Sequence, residues 1–271
     1  MRINTNVMAL SASNVLARNQ NTVQGSINKL SSGLRINSAA DDAAGLAISE
    51  KMRSQIRGLD QAESNAQDGI SLIQTAEGAL QQTTDILQRM RELVVKAENT
   101  GVLSDKDQDA IQVEVTALTD EIDRIAESTS FNGKKLLDGT ATSLKFKIGA
   151  NTNTGDTLDI AISGMSSTSL SVTGLDVKTS PSDALTAIDN AIITVSSQRA
   201  QLGAVQNRME YAIENLSTTA ENLTNAESRI RDVDMAEEMV KYSKDSILQQ
   251  AGQSMLAQAN QATQGILSLI R

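Results

Sequence analysis

Asp105, Asp107 and Asp109 stand at alternate positions, the spacing with which a calcium loop begins. The pattern then fails. Its sixth position, where glycine is needed, is Ala110, and its twelfth, where a bidentate glutamate belongs, is Thr116. An acidic helix start behind Ser104 explains the run better, because carboxylates on a first turn meet unpaired backbone N–H groups. Other chemistry is excluded by residue types the chain lacks. Histidine, cysteine and tryptophan are absent. Their absence removes Ser–His–Asp and Cys–His nucleophiles, thiol redox centres, disulfides, and zinc sites built on imidazole or thiolate. No glycine-rich phosphate loop leads into Lys-Ser or Lys-Thr, and no carboxylate pair is marked by an apolar pocket. The expectation is a protein with no catalytic, cofactor or metal site: not an enzyme.

The elements that would have to position any site are helical. One proline, Pro181, in 271 residues favours long uninterrupted helices. Only four residues are aromatic (Phe131, Phe146, Tyr211, Tyr242), so the buried volume must come from aliphatic side chains and methionine, which suits helix seams. Steps of four and three from Met52 to Val94 pick out Leu59, Glu63, Ala66, Ile70, Ile73, Glu77, Leu80, Thr84 and Leu87, a coiled-coil period. A shorter stripe, Ile111, Val115, Leu118, Ile122 and Ile125, follows a start at Ser104. A second long one runs from Ile188 through Ile192, Val195, Leu202, Met209 and Leu216 to Ile230. The fold class is mainly α: a coiled-coil-like helical rod folded back on itself, with paired terminal helices. A small β-hairpin is expected where Leu144, Phe146 and Ile148 alternate and are answered by Leu158, Ile160 and Ile162. Three parts follow: 1–43 plus 234–271, 44–162 plus 181–233, and a minimal surface insert at 163–180.

Charge is unevenly spread. The net charge is −9, yet all 33 acidic residues lie within 41–245, while Arg2, Arg18, Lys29, Arg35 and Arg271 lie outside it. An acidic body gives no electrostatic reason to bind nucleic acid, and no run of about 18 apolar residues implies membrane insertion. After Arg2 the longest early apolar run is Val7–Leu10, far short of the roughly 7–15 residues of a signal-peptide core. The acid-free ends carry narrow apolar stripes, with Val23, Ile27, Leu30 and Leu34 at one end and Met255, Ala259, Ala262, Ile266 and Leu269 at the other. Isolated helices of that kind are marginal in water, so these segments are expected to order against partners in an assembly. Ala39–Gly45, with Asp41 and Asp42, forms a low-bulk joint that reads as a hinge, or as a helix start capped by Asp41.

The run LSSGLRINSAADDAAGL at 30–46, continued by AISEKMRSQIRGL, closely resembles the N-terminal signature of bacterial flagellins. MRINTN at the start, FNGKKLLDG at 131–139 and ILQQAGQSMLAQANQATQGILSLIR at 247–271 are similar to the same family. The resemblance covers roughly 1–140 and 182–271, and departs in the middle, where many members carry large outer domains.

The resemblance implies a structural subunit that polymerises into the extracellular flagellar filament for motility, exported unfolded without a cleavable signal peptide. It implies self-association, with Val23, Ile27, Leu30, Leu34, Leu256, Ile266, Leu269 and Arg271 as assembly residues and Asp41, Asp42 and Gly45 as the hinge. The implied transient partners are an export chaperone, the export gate, the filament cap and the hook-junction proteins. By motif position Arg89, Leu93 and Glu114 match contacts of the animal innate flagellin receptor, although Lys96 departs from the glutamine common in recognised members. The Ser/Thr-rich middle offers hydroxyls for O-linked sugars. The alternatives are a flagellin-like hook–filament junction protein and a soluble coiled-coil adaptor.

Overall fold

A computed structural model describes residues 6–99, 103–151 and 153–270, with side chains described except at 154 and 262–270. Five helices dominate: α1 (Val7–Ser32), α2 (Ala43–Ala97), α3 (Asp105–Ser128), α4 (Pro181–Arg231) and α5 (Met235–Ile270). Between α3 and α4 lie β1 (Ser130–Phe131), β2 (Lys134–Lys135), β3 (Leu144–Lys147) and β4 (Thr157–Ile160). The chain divides into two compact units, Met1–Ser54 with Asn222–Arg271, and Gln55–Glu221. The terminal unit thus takes in the first turns of α2 and the last turns of α4. The sequence placed its boundaries at the helix breaks, 43–44 and 233–234.

The helix ends follow their local chemistry. Ser104 and Asp107 close a capping box at α3, where the Asp107 carboxylate accepts the Ser104 N–H at 3.0 Å and its hydroxyl at 2.7 Å. That explains the acidic run as a helix start. α1 stops at Gly33, whose φ of 72° lets its N–H turn back to the Lys29 carbonyl.

Within 55–221, helices α2, α3 and α4 share one core with the strands. The buried seam of α2 is Leu59, Ala62, Ala66, Gly69, Ile73, Ala76, Leu80, Thr83, Leu87, Met90, Val94 and Ala97, steps of three and four held without a gap. The expected stripe placed every second seam position one residue too far along. Glu63, Ile70 and Glu77 sit at the half-exposed edge, while Ala62, Gly69 and Ala76 face inward. Small residues occupy those positions because neighbours crowd them: a Cβ on Gly69 would lie 2.7 Å from the Met209 methyl and 3.2 Å from the Phe146 ring. The same slip occurs in α4, where Ala191 and Gln198 are buried and Ile192 and Arg199 are not. In α3 the stripe errs by one residue in the other direction, where Thr119 and Ala126 hold the seam in place of Leu118 and Ile125.

The expected hairpin is present. β3 and β4 pair antiparallel in the register Leu144↔Ile160 and Phe146↔Leu158. A second hairpin, unread in the sequence, joins β1 to β2 through Asn132 and Gly133. Both tip residues have positive φ, 50° and 77°, the conformation that Asn-Gly adopts in a tight two-residue turn.

The segment 163–180 is not the surface excursion expected from its Ser/Thr content. Met165, Leu170, Val172 and Val177 are buried, and three helix side chains hold its backbone. Gln198 accepts the Ser163 N–H at 3.4 Å, next to the Ala161 carbonyl to which it donates at 3.2 Å. Asp123 accepts the Ser167 N–H at 2.8 Å and hydroxyl at 2.7 Å. Gln112 donates to the Leu175 carbonyl at 2.8 Å and accepts the Val177 N–H at 2.9 Å. Backbone polar groups brought against a core need such partners.

Candidate assembly surface

The terminal unit is built on α1 packed against α5, the most extensive close backbone approach between helices among the described residues. Ala, Ser and Gly permit it; a Cβ on Gly252 would touch the Leu16 methyl at 3.4 Å. The helices run antiparallel and are pinned along their length. Asn6 donates its side-chain amide to the Ala259 carbonyl at 2.9 Å, and Asn19 donates to the Asp245 carbonyl at 2.7 Å.

The two helix breaks of this unit are braced together. Leu34 bridges Asp232, Arg35 donates its N–H to the Arg231 carbonyl at 2.6 Å, and Val233 donates to the Gly33 carbonyl at 3.0 Å. The Arg35 guanidinium reaches the last carbonyls of α4 at Arg229 and Ile230, where a cation suits the helix C-terminus. Arg231 pairs with Glu50 of α2 at 2.7 Å. Asp234 caps α5 by accepting the Ala236 N–H at 2.9 Å. Arg231, Glu50 and Asp234 did not stand out in the sequence, although Asp234 followed three residues later by Glu237 is a capping signature.

Asp42, rather than Asp41, caps α2, accepting the Gly45 N–H at 2.9 Å. Asp41 closes the turn before it, taking N–H groups from Asn37 at 3.1 Å and Ser38 at 2.9 Å. Those backbone donors at Ser38 and Asn37 hold the Asp41 carboxyl below the usual range. Gly45 is wedged: a Cβ there would meet the Asp42 carboxylate and the Ile36 methyl, the latter at 2.8 Å.

What this unit does not do is bury its apolar residues. Among the described residues Ile36, at 3% exposure, is its one fully buried large apolar side chain. By contrast Met8 is 76% exposed and Val240 71%. Val7, Leu10, Val15, Met235, Met239, Ile247, Leu248 and Met255 are exposed with them. A groove of about 500 Å³ runs between Met8, Ala12 and Val15 on α1 and Leu248, Ala251 and Met255 on α5. Contiguous apolar surface of this kind calls for a covering partner.

The sequence-expected assembly residues fall on both sides of this surface. Ile27 is exposed, while Val23, Leu30, Leu34 and Leu256 are half-buried. The Ile266 and Leu269 side chains and the whole of Arg271 lie outside the described residues. Of the stripe positions Met255 and Ile27 are exposed, while Val7, Met8, Leu10, Val15, Met235, Met239, Val240, Ile247 and Leu248 are exposed apolar positions that the stripes did not select.

In the other unit, Arg89 and Glu114 are exposed and paired at 2.9 Å, with Glu92 also on the Arg89 guanidinium at 3.2 Å. Leu93 lies in the core, so the exposed part of that trio is the ion pair. Among the described residues no group of three or more metal-ligating side chains is clustered, and no helix is long and apolar enough to cross a membrane.

Residues 3–142 match the bacterial flagellin N-terminal helical region, and residues 185–270 match the bacterial flagellin C-terminal helical region. The chain is 54% identical to the flagellin of Bacillus subtilis strain 168, with 100% of each chain covered. It is 50% identical to the flagellar filament 33 kDa core protein of Treponema phagedenis, again with 100% of both covered. The crystal structure of Bacillus cereus flagellin superposes with a TM-score of 0.50 at 33% identity, covering 60% of this chain and 94% of that one. A putative flagellar hook-associated protein of Vibrio parahaemolyticus shares the fold, with a TM-score of 0.59 at 17% identity, covering 71% of this chain and 100% of that one. Full-length identity to flagellins sets aside the junction-protein and adaptor alternatives, and the chain belongs to the bacterial flagellins, the structural subunits of the flagellar filament.

Proposed function

We propose that this flagellin polymerises by burying the exposed apolar faces of the α1–α5 pair against the same pair in neighbouring subunits. The observation that carries this reading is the near absence of a core in the terminal unit beside a row of exposed Met, Val, Leu and Ile. A helical polymer uses contacts that do not close, so each subunit needs two different faces. The pair offers one along Val7, Met8, Val15, Leu248 and Met255, and a second along Val240 and Ile247, with Met235 and Met239 exposed on a separate stripe at the start of α5. Val23, Ile27, Leu30, Leu34, Leu256, Ile266, Leu269 and Arg271 complete the packing around them. The segment containing Asp41, Asp42 and Gly45 serves as the joint that sets how the terminal pair is presented.

Finer roles rest on the family resemblance. The chain is exported unfolded and ends up extracellular. An export chaperone covers the C-terminal segment before export, and the export gate, filament cap and hook-junction proteins are met in passing. The exposed Arg89–Glu114 pair is the part of the receptor motif open to an animal innate receptor.

The assembly reading is tested with Val240→Asp combined with Ile247→Asp, which places charge on one face without altering the 55–221 unit. Seeded growth, followed by negative-stain electron microscopy, should stop while circular dichroism stays helical. Tubes of normal length and number from this variant would refute the reading.

A further inference from the structure

The chain carries nine methionines and no cysteine or tryptophan, so its thioethers are its readiest targets for a peroxide. Among the described residues, all but the half-buried Met52 divide sharply in placement. Met90, Met165 and Met209, in the 55–221 unit, are buried to within 1%. Met8, Met235, Met239 and Met255, in the terminal unit, are all exposed, the least at 48%. Met8 and Met255 face each other across the apolar groove, and Met235 and Met239 lie one turn apart on α5 beside Val240.

We propose that these four methionines are a modification site that makes the unassembled subunit sensitive to peroxides: oxidation to sulfoxide blocks polymerisation, and reduction of the sulfoxide restores it. The chemistry is a two-electron transfer. The thioether sulfur attacks one peroxide oxygen, an S–O bond forms, the O–O bond breaks, and the second oxygen leaves as water once protonated. Each sulfoxide replaces a flexible apolar side chain with a polar, chiral one on the surface that must be desolvated between subunits. Burial shields Met90, Met165 and Met209 from the same reagent. In the polymer the four thioethers are covered, so sensitivity belongs to the free subunit. This inference rests on the assembly reading above.

The test treats the purified full chain with dilute hydrogen peroxide, maps added oxygen by peptide mass, and measures seeded growth. Oxygen should appear on Met8, Met235, Met239 and Met255 well before Met90, Met165 and Met209, and growth should fall about tenfold or more. Methionine sulfoxide reductases of both epimer classes with a thiol reductant should restore it. In the variant carrying Met8→Leu, Met235→Leu, Met239→Leu and Met255→Leu, the same treatment should leave growth at the level that variant shows before oxidation. Undiminished growth of chains oxidised at the four positions would overturn the proposal, as would a loss that the reductases do not reverse. Should the leucine variant itself fail to grow, reductase rescue of the native sequence decides. Undiminished growth of the oxidised chain with Val240→Asp/Ile247→Asp still blocked would sink the oxidation proposal alone. Normal growth of that double variant would sink the assembly reading itself.

Discussion

At the residue scale, single atoms decide which substitutions the chain tolerates. Gly45→Ala would drive a methyl into the Asp42 carboxylate and the Ile36 side chain. It should destabilise the chain by about 1–3 kcal/mol, as overpacking does. Gly78, in the middle of α2, has nothing within 4 Å of its added Cβ. Gly78→Ala should therefore stabilise by about 0.5–1 kcal/mol through helix propensity alone. Thermal melts of the two variants beside the native chain check both signs. Asp107 supplies a pH test. Its carboxyl is held below the ordinary range first by the Ser104 hydroxyl and then by the Ser104 N–H. Because the folded-state pKa is the lower one, the stabilisation is complete above the ordinary aspartate range of about 4. It disappears as pH falls through the folded value. Amide exchange at the start of α3 should accelerate on acidification in the native chain and show a flatter response in Asp107→Asn.

At the element scale, period was legible in the sequence and face was not. The three long stripes lie on real helices, and Leu59, Ala66, Ile73, Leu80, Leu87 and Val94 were placed correctly. The intervening seam positions Ala62, Gly69 and Ala76 were missed because such small residues carry little or no hydrophobic signal, whereas Thr84, which the stripe selected, is buried beside Thr83. Small residues mark close packing, which hydropathy does not weigh. The 163–180 segment was misread for a related reason. Its Ser/Thr composition suggests solvent, while the glutamines and aspartate that hold it down are far away in the chain and look like surface residues until paired. Two consequences follow. Leu80→Ala in the seam should cost about 2–5 kcal/mol, while Glu63→Ala at its edge should stay within about 0.5 kcal/mol; chemical denaturation separates them. Removing the backbone clamp with Gln112→Ala should expose 163–180 to limited proteolysis with α2, α3 and α4 still helical.

At the scale of the whole molecule, the two units divide the work. The 55–221 unit has a continuous aliphatic core and is complete in itself. The terminal unit pairs two long helices through small residues and amide bonds and leaves its large apolar side chains outside, so on the proposed assembly its stability depends on neighbours. The acid-free ends and narrow stripes of the sequence led to the same expectation. Which apolar residues face out could not be read, because that depends on the α1–α5 register fixed by Asn6, Asn19 and the Leu34–Asp232 bridge. The acidic body adds a dependence on ionic conditions: its like charges oppose association of subunits until salt screens them over the Debye length, about 8–10 Å at moderate ionic strength. Seeded growth should accordingly be faster as salt rises.

The central claim is that the terminal helix pair, and nothing in the 55–221 unit alone, drives polymerisation. The most direct measurement compares the native chain with one lacking residues 246–271, both purified as monomers, mixed with short filament seeds and salt, and viewed by negative-stain electron microscopy. The account predicts long tubes of uniform width from the native chain. From the shortened one it predicts only discrete helical particles, still folded by circular dichroism. Tubes of normal width and length from the shortened chain would contradict it.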